Sequence, residues 1–163
     1  MALYSIDKLI NETRRLAAEF KRTTGTMLPV SGEIARYDVS HHLDLTLTND
    51  YACGYDAIGN NAREGLRVQI KSRVIGDAVK SAHRLGQLNT NGNWDIVVLS
   101  LMDDEFEPLE MYQINRNEVI KALNSKSKKH NTISVAKFKI ISELVWAKKY
   151  GVEKIFAYKT ASK

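Results

Sequence analysis

Cysteine is almost absent from this sequence, which limits how the chain can be stabilised. Cys53 is the single cysteine, so an internal disulfide is excluded. A lone thiol is typical of proteins kept in a reducing cytosol, and we therefore expect a cytoplasmic location. The four histidines do not stand at a metal-binding spacing with Cys53, which argues against a zinc site.

Long apolar runs are also missing. No run approaches the roughly 20 residues that span a bilayer, and residues 1–7 lack the charged-then-apolar order of a secretory signal. The sequence contains neither a glycine-rich phosphate loop nor the turn that carries a nucleophilic serine in hydrolases. We predict a single domain over residues 1–163 with no membrane segment, long enough to bury about 70% of its unfolded surface.

The most informative segment is a polar-faced strand with a turn before it. In residues 66–73, Leu66, Val68 and Ile70 alternate with four polar side chains, Arg67, Gln69, Lys71 and Arg73. Successive side chains of a strand point to opposite faces, so Gln69 and Lys71 are predicted to point the same way. The preceding turn is rich in residues that tolerate positive φ, which predicts a hairpin that lays Asp56 beside this pair. A half-exposed antiparallel sheet of no special function shows the same alternation.

A second acidic residue stands upstream, at a predicted helix start. Residues 29–33, Pro-Val-Ser-Gly-Glu, lead into apolar positions at helical spacing in residues 34–39. Glu33 therefore lies near a helix N-terminus, where a carboxylate is favoured by the helix dipole.

Together, Glu33, Asp56, Gln69 and Lys71 resemble the motif of the PD-(D/E)xK nuclease superfamily, in the variant with Gln in place of the second acid that Mrr-like restriction enzymes have. The resemblance covers Ser31 to Leu109. Residues 94–101 look like the buried strand that follows the motif helix in that fold, and residues 106–114 look like its hairpin partner. It implies an α/β domain of the restriction-endonuclease-like kind, with a central mixed sheet flanked by helices. The chain departs from the motif at Tyr55, where a proline is usual, and at Gln69, where many members have a carboxylate.

The resemblance also implies a role for each residue. Asp56 would be the principal ligand of Mg²⁺ (or Mn²⁺), Gln69 would add an amide oxygen, and Glu33 would supply a second negative charge, directly or through water. Lys71 would stabilise the negative charge that develops at phosphorus or orient the attacking water. The expected activity is metal-dependent hydrolysis of DNA. Two alternatives remain open: a nucleic-acid-binding module of the same fold without efficient catalysis, and an accessory subunit that docks on another protein through its first or its C-terminal helix.

Basic residues are candidates for DNA contacts. The chain carries 24 Lys+Arg against 19 Asp+Glu, a mild excess that attracts polyanions without identifying one. Lys126, Lys128 and Lys129 lie in a basic connector suited to a phosphate backbone, although a solvated loop has the same composition. Arg73 and Arg84 follow the proposed centre closely enough to contact phosphates. Because double-strand cleavage by a single-site domain commonly requires two copies, we also expect a homodimer.

The remaining sequence predicts the elements around this core. Residues 1–25 form an amphipathic cover helix or a dimer contact, residues 31–114 form the nuclease-like core, and residues 115–163 form C-terminal helices and a terminal strand. Within these regions, apolar spacing predicts a crossover helix over 75–88, a last long helix over 135–150 and a strand over 154–158.

Overall fold

The computed structural model describes residues 4–76, 83–125 and 132–149, and these form a six-stranded mixed sheet flanked by four α-helices. The helices are α1 (Ile6–Thr24), α2 (Ser31–Leu43), α3 (Arg116–Asn124) and α4 (Val135–Ile141). The strands are β1 (Leu45–Leu47), β2 (Ala57–Gly59), β3 (Arg67–Val74), β4 (Ile96–Met102), β5 (Pro108–Asn115) and β6 (Glu143–Ala147). The strands lie side by side in chain order, and the sheet is antiparallel except between β3 and β4. The α/β class with a mixed sheet and flanking helices is as predicted.

The parallel pair β3 and β4 forms the centre of the sheet. The register runs from Val68 opposite Ile96 to Val74 opposite Met102. Every residue of β4 is buried, which explains its continuous apolar sequence, whereas buried and half-buried residues alternate along β3. This alternation confirms that Gln69 and Lys71 share one face of β3.

Each face of the sheet has its own apolar core. On one face, α1 and α2 pack against alternate residues of the central strands, namely Val68, Ile70, Val74, Ile96, Val98 and Met102. On the other face, α3, α4 and the segment with Leu85 and Leu88 pack against Val97, Leu99 and Leu101. Trp94 is fully buried in this second core, and Trp146 is buried in the first, as the apolar surroundings of both indicate.

A buried ion pair attaches α1 to the rest of the fold. Arg14 donates to both carboxylate oxygens of Asp38 on α2, at 2.7 and 3.1 Å, and to the carbonyl of Phe106 in the β4–β5 turn. Both side chains of the pair are less than one-tenth exposed. The helix starts at the cap Ser5 and ends at Gly25, whose positive φ of 71° provides the left-handed cap that glycine adopts readily. The first helix therefore forms where the sequence predicts it.

The C-terminal part of the sequence prediction is wrong in one respect. A long helix over 135–150 is predicted, but α4 ends at Ile141, the backbone becomes extended at Ser142, and Glu143–Ala147 form β6. β6 completes the sheet by pairing antiparallel with β5, and this pairing buries Trp146 on the first core. Tertiary pairing has overridden a spacing that is equally compatible with a helix.

The predicted crossover helix over 75–88 is also not observed where the structure describes it. Residues 83–88 are not helical, and the backbone N–H of Leu85 donates instead to the carbonyl of Ile133 at 2.9 Å. Residues 77–82, and the strand predicted over 154–158, lie outside the described residues. Across the ranges that the structure does describe, none of the helices combines the length and the apolar character that crossing a membrane requires.

Candidate active site

Asp56 lies at the point where β2 separates from β3. Its backbone N–H donates to the carbonyl of Val68 at 2.8 Å, and its Oδ2 accepts the backbone N–H of Ile70 at 2.7 Å. β2 begins at Ala57, so no residue of β2 pairs with Ile70 of β3. The Asp56 side chain takes the place of that missing backbone acceptor. These two bonds fix the Asp56 carboxylate beside the central strand.

Arg36 on α2 connects the two acidic residues that the motif contains. Its Nη1 donates to Asp56 Oδ1 at 2.6 Å, its Nη2 donates to the carbonyl of Thr48 at 2.9 Å, and its Nε lies 3.7 Å from Glu33 Oε2. Glu33 is in the first turn of α2, as predicted, and its carboxylate is largely exposed. Arg36 itself is only 8% exposed, and its guanidinium lies 4.8 Å from the ring centre of Tyr51. A buried cation therefore stands between the two carboxylates.

Gln69 and Lys71 both hold polar groups that are at least partly removed from water on the same face of β3. Oε1 of Gln69 is buried and has no hydrogen-bond partner in the described part of the chain. Burial lowers the pKa of Lys71 below its ordinary value, the negative charge of Asp56 opposes this shift, and the positive charge of Arg73 adds to it. An orphaned amide oxygen is costly in a folded protein, and an ion or an ordered water bound there would remove the cost.

A cleft of about 160 Å³ opens at this point. The residues that line it are Arg36, Tyr51, Gly54, Tyr55, Asp56, Gln69 and Asn89. The structure thus brings two of the four predicted catalytic residues, Asp56 and Gln69, into one cavity. Glu33 and Lys71 are not among the lining residues. Glu33 and Asp56 both pair with Arg36. Lys71 is near enough to Asp56 for the negative charge of Asp56 to act on the pKa of Lys71.

The oxygen atoms of this cleft fit a hard divalent cation in part. The unpaired Oε1 of Gln69 can coordinate Mg²⁺, and each oxygen of Asp56 accepts one bond here although a carboxylate oxygen has room for two. Within the described ranges, no group of three or more His, Cys, Asp or Glu residues could hold a metal. A cation would therefore take one carboxylate and one amide from the cleft and depend on water and substrate phosphate for the rest. Arg36 would compete with it for Asp56.

The predicted DNA-binding arginines contact backbone carbonyls. Arg73 donates to the carbonyls of Ser72 and Arg84, and Arg84 donates to both the carbonyl and the hydroxyl of Thr132 at 2.9 Å. Burial lowers the pKa of Arg73. These bonds tie together chain segments that are distant in sequence. Lys126, Lys128 and Lys129 lie outside the described residues, so their predicted role stays a prediction.

Four residues of the cleft do not follow from the motif: Arg36, Tyr51, Gly54 and Asn89. Arg36 had a signal in the sequence, because it follows Glu33 by three residues and therefore shares its face of α2. Tyr51 and Asn89 had none, because each reaches the cleft from an irregular segment whose path the sequence pattern does not define.

Comparison of the sequence with models of protein families, and with curated proteins, finds no match in either case.

Proposed function

We propose that the chain is a divalent-metal-dependent phosphodiesterase of the restriction-endonuclease-like kind that cleaves DNA. The observation that carries this proposal is that Oε1 of Gln69, which has no partner among the residues that the structure describes, lies in the same cleft as the fixed carboxylate of Asp56. The order of elements adds support, because α2 with Glu33, the strand after Asp56, the Gln69/Lys71 strand and the buried parallel strand β4 follow one another as the motif resemblance implies.

Each residue has a definite part in this proposal. Asp56 and Gln69 would hold Mg²⁺ or Mn²⁺, and Glu33 would add negative charge at the border of the cleft. When bound, the metal would polarise the phosphodiester and lower the pKa of a water molecule. Lys71 places a half-buried positive charge beside Asp56, where a cation stabilises the negative charge that develops at phosphorus as water attacks.

The test is cleavage of labelled single-stranded, duplex and branched DNA in Mg²⁺, Mn²⁺ and EDTA. We expect cleavage that requires the metal, and we expect Asp56→Asn and Lys71→Met each to lower the rate at least about 100-fold. Lys121→Met is the matched control, because Lys121 is an exposed lysine paired with Glu118 on α3, and it should cleave as the unchanged chain does. Three outcomes would contradict the proposal: cleavage in EDTA, cleavage by both variants at the rate of the unchanged chain, or no cleavage of any substrate by the unchanged chain.

One observation favours a second candidate, a nucleic-acid-binding module without catalysis. The guanidinium of Arg36, 2.6 Å from Asp56 Oδ1, already supplies positive charge where a metal would bind. Titration calorimetry separates the two candidates. Binding of DNA in EDTA with no heat from Mg²⁺ or Mn²⁺ would favour the binding module, and saturable metal binding that Asp56→Asn abolishes would favour the nuclease.

A third candidate, the accessory subunit, is favoured by α1. Its outer side leaves Ile6, Leu9 and Leu16 more than half exposed, at spacings that place them along one stripe. The homodimer predicted from the sequence would use the same stripe. Sedimentation of the chain and of Leu16→Glu distinguishes these cases, because loss of a dimer in the variant alone would identify the stripe as the contact between copies.

A further inference from the structure

Of the cleft-lining residues in the described part of the chain, Tyr51 is the one strongly exposed aromatic. It is 72% exposed, and it lies in the segment between β1 and β2. This segment is ordered by its own hydrogen bonds: Asp50 accepts the backbone N–H of Ala52 through Oδ1 at 2.9 Å and that of Cys53 through its carbonyl at 3.3 Å. An ordered turn therefore presents the ring, and little of its surface is buried.

The ring of Tyr51 has a fixed partner on one side. The guanidinium of Arg36 lies 4.8 Å from the ring centre, and its bonds to Asp56 and to the carbonyl of Thr48 hold it there. Arg36 thus contacts both the exposed ring of Tyr51 and the carboxylate of Asp56 in the candidate active site. A group that stacks on the free surface of Tyr51 would therefore sit beside the cleft that holds Asp56 and Gln69.

We infer that Tyr51 stacks on an unpaired nucleobase next to the phosphate that enters the cleft, so that the preferred ligand is a single strand or an unpaired end. This inference rests on the proposed function, because it assigns the substrate class of the same site. The faces of a base inside a duplex are covered by its neighbours, and an aromatic side chain reaches a face only where the base is unstacked. Stacking on a ring is tolerant of sequence because every base has a π-face.

A purely structural role for Tyr51 is the competing explanation. In that explanation, the ring would shield the Arg36 guanidinium, 4.8 Å from its centre, from water, and an aliphatic side chain of similar size would shield it as well. Tyr51→Leu retains the shield and removes the stacking surface, whereas Tyr51→Phe retains both. Tyr4 provides a matched control, because it is an exposed tyrosine (49%) with a cation, Lys8 Nζ, 4.6 Å from its ring centre, and it lies in front of α1 and not in the cleft.

The experiment measures binding in EDTA, so that it does not depend on cleavage. The probes are a 2-aminopurine-labelled single strand as DNA, the same strand as RNA, and the blunt DNA duplex. We expect the single strand to bind more tightly than the duplex, with quenching of the 2-aminopurine. Tyr51→Leu should weaken single-strand binding about 5- to 150-fold and abolish the quenching, while Tyr51→Phe and Tyr4→Leu change neither.

The outcomes separate this inference from the proposed function. Loss of single-strand binding in Tyr51→Leu alone would support the inference even if the chain cleaves nothing, and tighter binding of the RNA strand would identify the unpaired base as that of a ribonucleotide. Equal affinity of the unchanged chain and Tyr51→Leu for the single strand would overturn it, even if duplex DNA is cleaved in Mg²⁺. Absence of binding to any of the three probes would overturn it as well.

Discussion

Arg67 and Gln69 lie two residues apart on the same face of β3, but their polar groups are paired in opposite ways. Arg67 forms a two-pronged ion pair with Asp95, with Nε 2.9 Å from Oδ2 and Nη2 2.7 Å from Oδ1, and its backbone N–H donates to the same carboxylate at 2.8 Å. Gln69 keeps a buried oxygen that has no partner within residues 4–76, 83–125 and 132–149. The first arrangement stabilises the fold, and the second reduces its stability.

This difference separates two polar residues that the sequence presents as equivalent. A satisfied pair such as Arg67–Asp95 needs no ligand to account for it, whereas an orphaned buried amide oxygen adds an energetic cost that a bound ion or an ordered water would offset. The comparison therefore associates Gln69 with the candidate active site and Arg67, the first residue of β3, with a structural clamp.

Replacing the orphaned amide should separate activity from stability most strongly. We expect Gln69→Leu to lower DNA cleavage about 100-fold through loss of a metal-binding oxygen, and to leave the free energy of unfolding unchanged or higher, because an unsatisfied buried polar group costs about 1–3 kcal/mol. Cleavage assays and urea unfolding measure the two effects.

Gln113 on β5 is the matched control for this substitution. Its Oε1 accepts a hydrogen bond from Nε of Arg63 at 2.6 Å, so its amide is paired. Gln113→Leu should lower the free energy of unfolding and leave cleavage unchanged. The opposite pattern, a destabilised Gln69→Leu with full activity, would show that the amide of Gln69 has a structural role.

Breaking the Arg67–Asp95 clamp should have the reverse effect of Gln69→Leu: it should lower stability and leave activity nearly unchanged. Arg67→Leu leaves Asp95 partly buried without its ion pair, and we expect a measurable fall in the free energy of unfolding, kept small because about one-third of each side chain is exposed (38% and 32%) and solvent screens the pair. Cleavage should stay within about twofold of the unchanged chain. A larger loss of activity than of stability would mean that the polar face of β3 acts as one unit.

Asp95 should also contribute to the stability of the fold at low pH, and this is the smallest of the effects expected for Gln69, Arg67 and Asp95. Its hydrogen bonds to Arg67 lower the pKa of the carboxyl from 3.8 to about 2. A carboxyl whose pKa is depressed by folding stabilises the folded state above its unfolded pKa, and this contribution disappears as pH falls through the folded value. We expect a loss of about 1 kcal/mol between pH 4 and pH 2, after allowing for solvent screening. Urea unfolding across this range should be flatter with pH for Asp95→Asn, and an identical slope would contradict the assignment.

Local patterns allowed the central strands and the first two helices to be predicted. The alternation in residues 66–73 corresponds to β3, the apolar residues 94–101 overlap β4, and Glu33 is in the first turn of α2. These features depend on periodicity and on helix-start residues, which neighbours in the chain encode. The prediction of a long C-terminal helix was wrong because the strand Glu143–Ala147 forms by pairing with the edge of β5, and no local pattern reveals that pairing.

The site was predictable to a similar degree, and for the same reason. The shared face of Gln69 and Lys71 follows from the two-residue period of a strand. The contact between Arg36 and Asp56 joins residues 20 positions apart and depends on how α2 crosses the sheet. The orphaned oxygen of Gln69 is likewise a property of the packed structure, since only the full set of neighbours shows that a partner is missing among the described residues.

The ion pair of Arg14 determines where the chain can be shortened. A fragment that begins after Gly25 would lose the guanidinium that pairs with the Asp38 carboxylate, together with Ala17 and Ala18, the two buried alanines that α1 contributes to the first core. The same fragment would free the carbonyl of Phe106, a residue whose φ of 62° already lies in the left-handed region. We therefore expect removal of the first helix to destabilise the fold, so that the span of the nuclease-like motif alone does not mark a safe boundary for shortening the chain.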